Sequence, residues 1–594
     1  MILSAIKLRN LPRANNRKNT KSIVMHSSPH KARDESHKPA VSHPYVGNVP
    51  ISILSDSYKA THFLQYPQAK EMVAYGEFRH GFNKDKNDSR LVSYGIRYLI
   101  ENYISKQWTE SDVDKAFLFS GTHMAPNYTE FPFPRDLLLK FVRENDGYFP
   151  VKIEALPEGT CVHARTPVYQ ITASEEYTPL CTYLETLLTM LWYPTTVATL
   201  SRRVRDIVED SFERTVDEGR SSQLVRSRLH DFGFRGCTSV EQSIIGGCAH
   251  LLNFVGTDTM SAAYYAQYAL NNGKPVGQSI PASEHSVMTS WPTELLALEN
   301  LIENFGSGIF ACVMDSYDYG KALAQLLPAI ASKQIGKGGC IVLRPDSGDP
   351  IEAVLQALHA ADKVFGSTIN SKGYKELRGC GVIQGDGMDL YSIERVCKAL
   401  EAKGFSAANV SFGMGGGLLQ KVNRDTMSFA TKLNFISYGD GRCMDVMKQP
   451  VTDEGKFSLP GKLAVKYVNG IPTVFPQDSG EVAPEENLFK VVYDKRPVPG
   501  VFDSFEVIRE RVAYQWTKLP RTADNISASL RKKVEFQRKE KASHCHVRGF
   551  GEGDSNGTSM NNGWIPAIAP TAMATVTTSA IGGVAGGGGG WWGG

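Results

Sequence analysis

No two cysteines of this chain stand in a CxxC spacing, although ten are present: Cys161, Cys181, Cys237, Cys248, Cys312, Cys340, Cys380, Cys397, Cys443 and Cys545. That excludes the usual structural zinc and thioredoxin-type readings, and it fits a reducing compartment. Long apolar runs are lacking too. The best contender, residues 187–200, is interrupted by Pro194 and several threonines and does not reach membrane-spanning length. Nor is there an excess of one charge: 65 Lys and Arg face 62 Asp and Glu, a net charge of +3. Such a balance does not call for nucleic acid, so any basic site must be local. What is present is enough hydrophobic sequence, 42% of 594 residues, to bury a sizeable core in a soluble globular protein.

Residues 1–48 carry Lys7, Arg9, Arg13, Arg17, Lys18, Lys21, Lys31, Arg33 and Lys38 against only Asp34 and Glu35. This reads as a disordered basic tail or a transit peptide. Cytosol is the expected compartment, with organelle targeting by this tail as the alternative. Order is expected from Ile51, with a short strand at Ile51–Leu54 and another at Val73–Arg79. Helices are expected at Asp136–Arg143 and Thr178–Leu191, the second ended by Pro194. Between about Arg226 and Asn423, short apolar runs alternate with helical stretches, which argues for a parallel sheet or barrel. The segment 516–594 reads as a disordered low-complexity tail, with a basic, helix-compatible stretch at Leu530–Lys541. His544-Cys545-His546 has no second ligand cluster and reads as incidental.

The chemistry sits where apolar runs hand over to loops, as on the catalytic face of an α/β barrel. Blocks of this kind are HDFGFRG (230–236), GTDT (256–259), SIPASEHS (279–286), MDSYD (314–318), RPDSG (344–348), QGDG (384–387) and GMGGG (413–417). His285 can serve as proton donor, metal ligand or nucleophile. The glycines of 413–417 suit a phosphate cradle opening a helix, or simply a tight turn. Arg424, Lys432, Lys448 and Lys456 downstream supply cations for phosphate. Arg344 with Asp346, and Asp386 between two glycines, suit sugar hydroxyls or Mg²⁺, or local loop pairing. Phe232 and Arg235 suit a flat heteroaromatic ligand, and Asp258 can accept an amide N–H while repelling a carboxylate. Near the start, Asp56 reads as a helix cap and Tyr58 as a second stacking surface.

With DSYKATHFLQYP (56–67), YPTTVAT (193–199) and GGGLLQKVNRD (415–425) added, these blocks in this order resemble the nicotinamide phosphoribosyltransferase family from about Ile51 to Arg509. The resemblance implies a pentosyltransferase that joins nicotinamide to 5-phosphoribosyl-1-pyrophosphate, giving nicotinamide mononucleotide and pyrophosphate. It implies an irregular α/β barrel with an additional mixed α+β domain built from both ends of the ordered region. The expected partition is 49–200, then the barrel core at 201–430, then 431–515. It further implies a homodimer with shared active sites, and Mg²⁺ and ATP as cofactor and co-substrate. By the same resemblance Phe232 and the partner's Tyr58 would sandwich the pyridine ring. Arg235 would bond the amide oxygen and Asp258 the amide nitrogen. Arg344 and Asp346 would hold the ribose side, while Gly385, Asp386 and Gly416 line ribose and phosphate. Arg79, Arg424, Lys432 and Lys448 would take phosphate. His285, supported by Asp315, would be phosphorylated by ATP; the metal ligands are not implied. The chain departs from the family pattern at Phe234, Ala311 and Met414, and is shorter between Trp108 and Asp136. A nicotinate phosphoribosyltransferase, or a weak homologue acting by binding, are the alternatives, and Asp258 argues against the first.

Overall fold

The computed structural model describes residues 49–450 and 456–544. The expectations for 1–48 and 545–594 lie outside the described residues. By contacts the chain divides after Lys539; everything below concerns the part before it, and beyond it only the helix backbone to His544 is described.

The apolar runs of the central region form six parallel strands, in the order Gly256–Thr257, Leu229–Asp231, Val410–Met414, Cys380–Gln384, Cys340–Arg344 and Ile309–Val313. Helices follow because the loops carry helix-start chemistry. Asp349 caps Pro350–Phe365 by accepting from the N–H groups of Ile351 and Glu352, and Asp389 forms a capping box at Leu390–Ala402. The two edge strands do not remain open. Gln278–Ser283 runs between them as an irregular seventh stave. On one side, Thr257 N–H donates to Gln278 O at 3.0 Å and Gln278 N–H to Val255 O at 2.7 Å. On the other, Ala311 N–H donates to Pro281 O at 2.9 Å and Ser283 N–H to Ala311 O at 3.0 Å. The Ser283 hydroxyl also accepts from Val313 N–H at 3.0 Å. The sheet therefore closes into an irregular α/β barrel, as expected.

His230 in the strand Leu229–Asp231 and Phe232 just after it pack against glycines that make room for them. A Cβ on Gly413 would lie 2.0 Å from a Phe232 ring carbon, and one on Gly256 would lie 2.6 Å from His230 Nδ1. Both glycines are needed for close approach.

A second sheet joins the two ends of the ordered chain. It is antiparallel, in the order Cys443–Asp445, Phe429–Ser437, Glu71–Phe78, Pro167–Ser174, Val151–Ala155 and Lys490–Asp494. This is the additional domain, built from N- and C-terminal segments. Three expectations are corrected. Ile51–Ile53 is a 3-10 turn, not a strand, because Pro50 O accepts locally from Ile53 N–H. The helix expected at 178–191 is split into Glu175–Leu180 and Glu185–Thr189, and Pro194 lies in the first turn of Trp192–Thr215, where its missing N–H is not needed. The tail expected from 516 is corrected over its first part, where the described residues are folded. Trp516 is buried with its indole N–H on Asp206, and Leu530 and Val534 pack with Tyr75, Met447, Leu459, Leu463 and Val474. The helix Ala528–His544 presents these apolar residues at an i, i+4 spacing inside an otherwise basic sequence, which hides it from composition.

Candidate active site

The seventh stave delivers His285 to the first residue of the short helix His285–Thr289, at the rim of the barrel. His285 Nε2 lies 3.4 Å from Asp346 Oδ2 and 3.8 Å from Asp315 Oδ1, and Nδ1 lies 3.3 Å from Ser316 Oγ. Asp315 Oδ2 accepts from Asp346 N–H at 2.9 Å and from Ser347 Oγ at 2.5 Å. Its Oδ1 is buried without a hydrogen-bond partner. Arg344 donates through Nη2 to Asp346 Oδ1 at 3.0 Å, and its guanidinium stands 5.6 Å from the Phe232 ring centroid. Three successive strand ends are thus tied into one polar network beside an aromatic face.

Phe232 is fixed from behind: its N–H donates to Met414 O at 3.1 Å, and Gly385 and Gly413 both face its ring. Met414 itself is buried, so only its carbonyl serves the site. Asp231 Oδ1 accepts from Gly233 N–H at 2.7 Å and Asp231 O accepts from Asp258 N–H at 2.9 Å. Burial pushes the Asp231 carboxyl up to about 6. Asp258 stands exposed at the mouth, accepting from Ser279 Oγ at 2.5 Å. Arg235 is exposed on the turn Phe234–Gly236. Asp386 O accepts from Gln384 Nε2 at 3.3 Å. The helix after the glycine block, Gly416–Leu419, has four residues. Its dipole is therefore small, and a cradle there would rest on the glycine backbone.

A second group lies on one face of the paired strands Glu71–Phe78 and Phe429–Ser437, where Tyr75 is opposite Lys432. Glu77 is fully buried and accepts from Arg165 at 2.9 Å, with Arg79 Nε at 3.7 Å. Arg79 Nε is buried without a hydrogen-bond partner. Desolvation, then the nearby Arg79 and Lys448 charges, lower the Lys432 pKa, against the raising effect of Glu185. Arg424 is exposed on the turn Arg424–Thr426, which Arg79 N–H and His80 N–H tether through Ser428 O and Met427 O. Tyr58 is 56% exposed, with Lys59 Nζ 5.2 Å over its ring and His62 edge-on at 5.5 Å. Lys59 is paired with Glu185. The structure thus brings the expected residues together in two groups, Phe232, Asp258, His285, Asp315, Arg344, Asp346 and Gly385 in one, Arg79, Lys432 and Lys448 in the other.

The nicotinate phosphoribosyltransferase (NAPRTase) family model matches residues 227–481, and the nicotinamide phosphoribosyltransferase N-terminal domain matches residues 50–153. A relative from Xanthomonas campestris pv. campestris, named nicotinamide phosphoribosyltransferase, is 39% identical over 430 residues, covering 71% of this chain and 88% of its own. The chain belongs to the nicotinamide phosphoribosyltransferase family. A second such relative, from Acinetobacter baylyi, is 31% identical over 496 residues, covering 77% of this chain and 96% of its own. Among solved structures, human nicotinic acid phosphoribosyltransferase aligns with a TM-score of 0.54 at 17% identity, covering 82% of this chain and 100% of its own. Nicotinate-nucleotide pyrophosphorylase from Pyrococcus furiosus aligns at 0.51 and 16%, covering 81% and 98%. At these identities the likeness is one of fold.

Within this family fold, several site residues carried no assignment in the sequence: Asp231, Ser279, Ser316, Ser347 and Glu77. Glu77 had a signal, a carboxylate at a strand position whose neighbours are all apolar or glycine. The serines had none, because a hydroxyl in a loop is ordinary until its partner is known.

Proposed function

We propose that the chain transfers the phosphoribosyl group of 5-phosphoribosyl-1-pyrophosphate to nicotinamide, giving nicotinamide mononucleotide and pyrophosphate. The observation that carries this reading is Asp258 beside the Phe232 platform. A carboxylate there accepts an amide N–H and repels the carboxylate of nicotinate. Phe232 stacks the pyridine, Arg235 reaches the amide oxygen, and Arg344 and Asp346 bracket the ribose. The pyridine nitrogen attacks C1 of the ribose as the bond to pyrophosphate breaks, through an oxocarbenium-like state. No side chain needs to take a proton from that nitrogen, so the protein's work is alignment and charge neutralisation.

Arg79, Arg424, Lys432 and Lys448, with Tyr58, complete the site from the second subunit of a homodimer. Exposed Tyr58, and Arg79 Nε, which makes no hydrogen bond, support this. Gly385, Asp386 and Gly416 line the ribose and phosphate. Mg²⁺ in such enzymes uses one or two carboxylates and the substrate's own phosphates. Asp315, whose Oδ1 is buried and makes no hydrogen bond, and Asp346 fit that demand; bound there, the ion would offset pyrophosphate charge. ATP phosphorylates His285: the carboxylates hold the proton on Nε2, Nδ1 bonds to the γ-phosphorus, and ADP leaves. The compartment we propose is the cytosol, supported by nine free cysteines among the described residues. No helix of the described residues is long and apolar enough to cross a membrane.

The test is a product assay with phosphoribosyl pyrophosphate and Mg²⁺, offering nicotinamide or nicotinate, each with and without ATP. Nicotinamide mononucleotide formation stimulated by ATP is expected. Product from nicotinate alone would overturn the pocket assignment.

A further inference from the structure

We infer that Ser279 is a positioning residue for amide selection: its hydroxyl holds one oxygen of Asp258 and leaves the other as the single acceptor offered to the base. This rests on the nicotinamide reading above and gives a role to a residue that had none in the sequence.

The inference starts from the closure of the barrel. Gly256 bridges Gln278 in parallel register, and the two backbone bonds of that bridge fix the stave beside the strand Gly256–Thr257. The residue after each bridged segment therefore emerges at the same level of the rim: Asp258 from the strand and Ser279 from the stave. Their side chains meet at 2.5 Å, within the range of a hydroxyl donating to an ionised carboxylate. The other acceptor near that hydroxyl, Ile280 O, is at 3.4 Å, so the proton belongs to Asp258. Asp258 is also tied at its backbone, donating N–H to Asp231 O at 2.9 Å beside the Phe232 platform. Backbone and side chain are thus both held, from neighbouring elements.

The chemical consequence is selective. A free carboxylate rotates and offers two oxygens; one pinned by Ser279 offers one, in a fixed direction. A base bearing an amide N–H satisfies it. A base bearing a carboxylate meets an acceptor with no hydroxyl hydrogen left to share, because the Ser279 proton is already committed. Ser279 acts on the reaction through Asp258, and its loss should change how the base binds, with little effect on the phosphoribosyl donor.

The experiment compares the wild-type dimer with Ser279→Ala, Ser279→Thr, Asp258→Ala and the Asp258→Ala/Ser279→Ala double variant. It measures kcat and KM for nicotinamide, for nicotinate and for phosphoribosyl pyrophosphate. Loss of a hydrogen bond to a charged group predicts a KM for nicotinamide raised about tenfold in Ser279→Ala, with the amide-over-acid preference reduced in proportion. The KM for phosphoribosyl pyrophosphate is expected to stay unchanged, and Ser279→Thr, which keeps the hydroxyl, should restore most of the difference. In the Asp258→Ala background, removing Ser279 should have no further effect. An unchanged amide preference in Ser279→Ala would overturn the proposal, as would an undiminished Ser279 effect without Asp258. A wild-type enzyme that does not prefer nicotinamide would instead overturn the function on which it rests.

Discussion

At the scale of single residues, the site separates charges that must stay from charges that are costly. His285 stands 45% exposed at the side chain with two carboxylates on one ring nitrogen, a geometry suited to a phosphoryl acceptor. His285→Ala is expected to abolish nicotinamide-dependent ATP hydrolysis while leaving weak transferase activity; ADP release that persists in the variant would remove the residue from this role. Asp231 is the opposite case. Its carboxyl is raised from 3.8 to about 6 by burial. Between those values the folded chain keeps a proton that the unfolded chain has lost. Its contribution to stability is therefore complete at low pH and disappears as pH rises through about 6. Asp231→Asn keeps an oxygen for Gly233 N–H and has no charge to bury. The variant should gain up to about 3 kcal/mol over wild type near neutral pH, with the gain vanishing towards pH 4. Denaturant melts across that range check it, and a pH-independent difference would contradict it. Phe232, Asp258, Arg344 and Asp346 were legible in the sequence because their types and spacing announce a site. The serines paired with Asp258, His285 and Asp315 were not, since their meaning lies in partners 21 to 32 residues away.

At the scale of elements, the sequence was most readable where burial is complete. The barrel strands at Cys340–Arg344, Cys380–Gln384 and Val410–Met414 are short apolar runs followed by loop residues, and they fall in the stretch whose alternation argued for a parallel sheet or barrel. The seventh stave was not legible as a strand, because Gln278–Ser283 contains Pro281 and pairs through only a few bonds on each side. Pro194 was read as an end and is a beginning, as a proline lacks the same N–H in both roles. The C-terminal helix was hidden by its charge. Its burial makes a strong claim: Leu530→Ala should destabilise the fold by about 3 kcal/mol, since Leu530 is fully buried against Tyr75 and Leu459. Urea unfolding measures it, and a change within about 0.5 kcal/mol, the range of surface substitutions, would show that the helix does not share the core.

At the scale of the whole molecule, the homodimer we propose would divide each site between two subunits. The stacking face, the amide acceptor and His285 lie on the barrel, and the cations lie on the antiparallel sheet. In that proposal a barrel from one subunit and a sheet from the other would make each complete site, two per dimer. Phe232→Ala and Arg79→Ala homodimers should each be nearly inactive. Mixed by co-refolding or co-expression, they should recover about a quarter of wild-type activity, because half the dimers then carry one intact site of two. Absence of recovery, with heterodimers demonstrated, would place both half-sites in one subunit.

The central claim is that the pocket is built for a neutral amide. The most direct measurement is a competition: equal concentrations of nicotinamide and nicotinate, with limiting phosphoribosyl pyrophosphate, Mg²⁺ and ATP, and the two mononucleotides resolved at low conversion. The product ratio then reports the ratio of kcat/KM values. Nearly all the product should be nicotinamide mononucleotide. A mixture dominated by nicotinate mononucleotide would contradict the role of Asp258 and, with it, the account of the site.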